Sequence, residues 1–288
     1  MDILNEARGI IDRFEKISRP AFDALAESLS EKMFCVSGAI NTCCSLTTSS
    51  ALRLLSDEMP WDSIILLRTV INATAKFCYL LSSDDVAERN KRLDEFVSGA
   101  TIKEYGSIYP HICGMLRQGL FGSGDNKDFV TREILNPVSE KKLNANTPQE
   151  IKDFVNMAQN HLQYLDMSHV LANEFEFWKS IASDLDFEYT AANSYVHVNY
   201  IGSGEIMHWL GLPYETRRTK TMASTAHILL MFCVLQKARS EMIFKRAGID
   251  PSAMRCIMTV DSPFVKMVDE LDMAESDRIT NATESQGY

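Results

Sequence analysis

The chain has 288 residues, 45% of them hydrophobic and 24% charged, and carries a formal net charge of −10. That balance is ordinary for a globular protein and excludes disorder along the whole length. A surface this acidic repels phosphate backbones, so it excludes non-specific nucleic-acid binding as a property of the entire surface and leaves room only for a local basic face.

Only 13 Gly and 8 Pro punctuate long runs of helical period, and strict apolar/polar alternation is almost absent. The expectation is an all-α, single-domain helical bundle over 1–271 with a central antiparallel helix hairpin. Residues 2–18 predict an amphipathic helix carrying Ile3, Leu4, Ile10, Ile11, Phe14 and Ile17, interrupted at Arg19-Pro20. A second helix extends to about Met33. Phe34–Leu55 is filled with Ser, Thr, Ala, Gly and Cys, small side chains that let a neighbouring helix approach closely. Asp57-Glu58-Met59-Pro60 breaks it and starts Trp61–Leu81, where Ile64, Leu67, Ile71, Ala75 and Cys78 form an apolar stripe at helical spacing. These two segments are the expected hairpin.

Ser82 or Ser83 is the expected cap of the next helix, with Asp84 and Asp85 in its first turn. Residues 122–147 are the most polar interior stretch and predict a flexible insertion. Thr147-Pro148-Gln149-Glu150 is a helix start, opening a helix or helix pair to about Asp184. Residues 188–211 predict a short helix, a Gly202-Ser203-Gly204 loop and another short helix. A long helix follows from about Pro213 to Arg246, stopped by Gly248 and Asp250-Pro251. Residues 272–288 have little to bury and predict a disordered acidic tail.

Seven cysteines (Cys35, Cys43, Cys44, Cys78, Cys113, Cys233, Cys256) are odd in number, scattered through apolar segments and contain no Cys-x-x-Cys pair. They predict reduced, buried thiols in a cytoplasmic protein. The N-terminus lacks the basic region and apolar core of a signal peptide, and no stretch reaches 18 apolar residues without a charge, so no membrane partner is expected.

Three groups of residues carry candidate chemistry. The first is Arg68, with Asn72 and Tyr79 along the same line of its helix, facing Ser194 and His197 from far downstream. Arginine holds phosphate or carboxylate bidentately and histidine titrates near neutrality, so Arg68 and His197 are the candidate catalytic pair and Asn72, Tyr79 and Ser194 candidate binding residues. The competing reading is a buried polar network that fixes helix register. The second is a pair of carboxylate–imidazole spacings, Asp166-x-x-His169 and Glu205-x-x-His208, which fit surface positions better than a metal site; neither metal nor cofactor is expected. The third is a basic strip on the long helix, with Arg217, Arg218 and Lys220 as candidate phosphate contacts and Lys237, Arg239, Lys245 and Arg246 beyond them. No aromatics are interleaved with these cations, so base stacking is not indicated there.

LLRTVINATAKFCYLL followed far downstream by NSYVHVNY resembles a family of bacterial helical proteins with an Arg-x-x-x-Glu helix and a later Ser-x-x-His segment. Relatives of that pattern occur among abortive-infection and other phage-defence proteins, some similar to the HEPN helical nucleases. The resemblance covers about residues 34–210 and implies Arg68 in the arginine position, with Ser194 and His197 as the later pair. Asn72 stands where the family has Glu. None of the six histidines has an Arg at the Arg-x4-6-His spacing of HEPN nucleases. The resemblance implies a phage-defence or toxin-type effector whose Arg/His core site binds a nucleotide or RNA phosphate. The alternative is a non-enzymatic helical scaffold that binds a protein partner or self-associates.

Overall fold

A computed structural model describes residues 3–97, 163–196, 200–259 and 262–285. Every regular element among them is helical, which makes the fold all-α. The chain divides into two compact units: Met1–Ser83 together with Ser168–Tyr288, and Asp84–Met167. The expected insertion at 122–147 and the helix start at Thr147 lie outside the described residues.

In the first unit, α1 (Ile3–Ala24) buries Ala7, Ile10, Ile11, Phe14, Ser18 and Ala21. It passes through Pro20, where a break was expected. Proline's missing N–H leaves the Lys16 carbonyl without its helical partner, and Lys16 is exposed, so that carbonyl is open to solvent and the helix can continue. A 3-10 turn (Leu25–Glu27) leads to α2 (Glu31–Ser56), capped by Ser30, whose side chain accepts from the Met33 N–H at 3.3 Å. The buried face of α2 is largely small: Ser37, Cys44, Thr48 and Ala51 accompany Met33, Leu52 and Leu55. It packs on α3 (Pro60–Ser82) in antiparallel sense, with Ser63 Oγ donating to the Ala51 carbonyl at 3.2 Å and Cys44 Sγ 3.9 Å from Thr74 Oγ1. The α3 stripe is buried at Leu67, Ile71, Ala75 and Cys78.

In the second unit a helix, α4, is described over 86–97. Asp85, not Ser82 or Ser83, caps it, accepting from the Ala87 N–H at 2.9 Å. The next helix, α5 (Tyr164–Glu174), begins in this unit and continues in the first. It meets α6 (Glu176–Val196) at a turn where Ser168 Oγ accepts from Trp178 Nε1 at 3.2 Å and donates to Asp186 at 2.9 Å.

The helix α7 (Tyr200–Gly211) contains Gly202 and Gly204, so the expected glycine loop is helical. The longest element, α8 (Tyr214–Ala247), ends on Gly248 in the left-handed conformation at φ 68°, as the glycine stop required. After the short α9 (Ser252–Arg255), α10 (Pro263–Ser285) replaces the disordered tail expected from 272. Phe264 and Val268 are buried and anchor the first turns of this helix, whose polar continuation extends the same backbone hydrogen-bond ladder.

α8 packs against α1, α3 and α10, and α3 is enclosed by α2, α6 and α8. The centre is therefore α3 against α8, with the α2–α3 hairpin forming one flank. Both α3 and α8 are long and apolar enough to cross a membrane by composition, with 50% and 56% of the relevant window buried inside the fold. Their apolar sides are spent on each other and on neighbouring helices.

One member of the basic strip is not on the surface. Arg239 is 1% exposed and donates from Nε to Asn41 Oδ1 at 3.1 Å, from Nη1 to Thr74 Oγ1 at 2.7 Å, and from Nη2 to Gln236 Oε1. All three partners are neutral, so amide and hydroxyl dipoles alone solvate this charge. Lys245 and Arg246 donate to the Ser82 carbonyl at 3.3 and 3.2 Å, closing the C-terminus of α3, where the helix dipole is negative. Arg239→Ala should destabilise the fold by roughly 3–5 kcal/mol, because it opens a cavity and strands buried acceptors. Arg239→Met, which fills the space, should lose less, and urea unfolding followed by circular dichroism reads the difference.

Candidate functional site: an arginine pocket beside a histidine–carboxylate cleft

Arg68 lies half-buried on α3 against α6. Its Nε donates to Asn193 Oδ1, its Nη2 to the Tyr189 hydroxyl at 3.4 Å, and its guanidinium sits 5.0 Å from the centre of the Tyr189 ring. The arginine thus meets the expected segment through Asn193, the residue before Ser194. His197, its proposed catalytic partner, lies outside the described residues. Asn72 is half-buried, and its Oδ1 has no hydrogen-bond partner among the described residues. Tyr79 stands 11 residues along α3 from Arg68, roughly 16 Å at the helical rise, and belongs to a different part of the core.

Ser194 has a structural role the sequence did not show. Its carbonyl lies against Gly202, where a Cβ would come within 2.4 Å of the oxygen. Glycine is therefore required for α7 to lie on α6. That approach assembles an aromatic cluster: Trp61 of α3 is 5.3 Å from Tyr195 and 6.2 Å, edge-on, from Trp209.

Trp209 is also one wall of a cavity of about 400 Å³ at the start of α8. Arg217 and Arg218 line it from α8, Tyr214 from the helix start, Glu58 from the α2–α3 turn, Leu55 from α2 and Leu271 from α10. The Arg217 guanidinium lies 5.7 Å from the centre of the Trp209 ring, a cation–π arrangement. Its Nε is buried with no hydrogen-bond partner among the described residues. Glu58 holds φ at 59°, the left-handed region that a non-glycine residue occupies at a cost. Two of the three expected phosphate contacts therefore share a pocket, while Lys220 turns aside to Glu205 at 3.8 Å. No aromatic is interleaved with these cations in the sequence, yet Trp209 and Tyr214, which precede them, line the same cavity.

On another face of α8 is a smaller cleft of about 200 Å³, lined by His227 and Ser224, by Ile64 of α3, Glu188 of α6 and Asp272 of α10. His227 Nε2 is 2.9 Å from Glu188 Oε1. Donating a hydrogen bond to the Glu188 carboxylate raises the histidine pKa above its usual 6.5 against an opposing effect of burial, with the charges of Glu188, Asp272 and Asp184 adding to the rise. Burial raises Asp272 too, opposed by His227 and helped by Asp269. Sequence reasoning missed this pair because Glu188 and His227 are 39 positions apart on different helices. Among the described residues no group of three or more His, Cys, Asp or Glu side chains is placed to hold a metal. The six described cysteines are unbonded; Cys35, Cys43 and Cys256 are exposed, which corrects the expectation of buried thiols, while burial raises the thiols of Cys78 and Cys233 far above their reactive range.

Comparison of the chain with family models, with curated proteins and with solved structures finds no match.

Gly202→Ala should separate α7 from α6 at a cost of roughly 1–3 kcal/mol. The near-ultraviolet circular dichroism of the Trp61–Tyr195–Trp209 cluster should weaken while the far-ultraviolet helical signal is kept; an unchanged near-ultraviolet spectrum contradicts the close approach.

Proposed function

We propose that this chain is a nucleotide-binding helical protein of the bacterial phage-defence or toxin-effector type that its sequence resembles, acting in the cytoplasm through the pocket at the start of α8. The observation that carries the reading is Arg217: a guanidinium braced over an indole, with a buried N–H that nothing among the described residues accepts. A buried unpaired donor costs about 1–3 kcal/mol, and a ligand oxygen removes that cost. Arg218, exposed at the same mouth, adds a second fork for a phosphate. Trp209 and Tyr214 offer ring faces for a base. Glu58, held opposite in its strained turn, suits the hydroxyls of a sugar or the amino group of a base. A cavity of about 400 Å³ falls in the range of small-ligand sites. A net charge of −10 disfavours phosphate over the surface at large, so a local cluster of cations such as this one is what phosphate binding requires. Binding is the role proposed; no reaction is assigned to Arg68 and His197.

A second reading, a scaffold for a protein partner or for self-association, draws on exposed apolar side chains beside the same pocket: Met207 at 67%, Leu210 at 51% and Tyr214 at 67%.

Titration with ATP and with pyrophosphate, followed by tryptophan fluorescence and calorimetry, separates the two. ATP should bind more tightly than pyrophosphate. Arg218→Ala should weaken both by roughly 10–100-fold, the worth of one charge-assisted contact, with the thermal melt unchanged because the side chain is exposed. Failure of both ligands to bind, together with a concentration-dependent rise in mass on sedimentation, would favour the scaffold.

A further inference from the structure

We propose that α10 is a pH-sensitive latch on the arginine pocket, held closed by protonated His227 and released as that proton is lost. The regulation rests on the pocket being the ligand site. Consecutive residues of α10 serve the two cavities: Leu271 is part of the wall of the arginine pocket, and Asp272 reaches the histidine cleft. A change that moves Asp272 away from His227 therefore moves the pocket wall with it.

The cleft concentrates negative charge around one titratable cation. Glu188 and Asp184 act on His227 from α6, Asp272 acts on it from α10, and α3 contributes only the uncharged Ile64. Asp269 adds its charge to Asp272 from the same helix. With His227 protonated, its positive charge lies among these carboxylates and draws α6, α8 and α10 together. With His227 neutral, the carboxylates face one another without compensation.

The sign follows from His227. A histidine held above its ordinary value stabilises the fold below that value, and the contribution disappears as pH rises through the raised one. Loss of that charge loosens α10 in the alkaline direction. The His227 side chain is 39% exposed, so protons reach it without unfolding. α10 is suited to move because residues 272–274 of it are exposed.

The test combines hydrogen exchange over 263–274 with ATP binding, each at about pH 6 and about pH 8.5, on either side of neutral histidine titration. In the wild-type chain, protection of α10, corrected for intrinsic exchange, should fall several-fold at the higher pH, while the buried stretch 228–244 of α8 stays protected. His227→Gln, which keeps a hydrogen-bond donor but has no proton to lose, should abolish the pH dependence. Asp272→Asn should restore α10 protection at the higher pH. The ratio of ATP affinities at the two pH values should differ several-fold between the wild type and His227→Gln, a comparison that cancels the titration of ATP itself. A wild-type profile that is flat, or that His227→Gln leaves unaltered, overturns the latch. Exchange that follows His227 with an unaltered ATP ratio overturns the gating and leaves the pocket standing. Absence of ATP binding at either pH removes the pocket, and the gating with it.

Discussion

The first unit turns on one buried charge, Arg239, the most deeply buried cation among the described residues. From Ile228 to Phe244, α8 is enclosed on nearly every side, and the one guanidinium inside that enclosure is Arg239. A charge there is tolerable only where dipoles reach it, and they come from Asn41 on α2, Thr74 on α3 and Gln236 on α8 itself. That requirement fixes the height of α8 against α3 and α2 far more sharply than interchangeable apolar contacts do. It also sets the position of everything upstream on the same rigid helix. Arg218 lies 21 residues away, roughly 30 Å along the axis, where α8 emerges beside the end of α2. The internal arginine thus holds the register, and the outer pair inherits a place next to Leu55 and Glu58.

The N-terminal half of α8 then separates charge by sign. One side carries Arg217 and Arg218 against aromatic rings; another carries His227 among Glu188, Asp184 and Asp272. In a chain of net charge −10, this arrangement brings two arginines together in one concave place. Lys220 is neutralised by Glu205 before it can contribute, and Lys237 is spent on Glu241 and the face of Phe177. α10 touches both cavities through neighbouring residues, so the two sides are mechanically connected even though their chemistry differs.

Particular residues show how far local information reached. The α3 stripe, the small-residue face of α2 and the Gly248 stop were legible because each depends on spacing or backbone conformation within one element. Pro20 and the 272–285 segment were misjudged for a related reason. Whether a proline ends a helix depends on water reaching the freed carbonyl, and whether a polar segment is helical depends on anchors such as Phe264 and Val268 that begin the same helix. Gly202 was noticed as a loop former, yet it serves close approach to the Ser194 carbonyl inside a helix. Glycine permits both uses, and only the neighbour decides between them.

By itself, then, the sequence determined the helical class, the faces of the individual helices and several of their ends, since a 3.6-residue period and capping chemistry act over a handful of positions. It also marked Arg217 and Arg218 as cations worth following. The tertiary structure alone decided that Arg239 goes inside while Arg217 lines a cavity, that Lys220 is paired away, and that Glu188 meets His227. Those outcomes depend on which helix faces come together across tens or hundreds of positions, and that is settled by burial and charge compensation summed over the whole bundle, which no local pattern records.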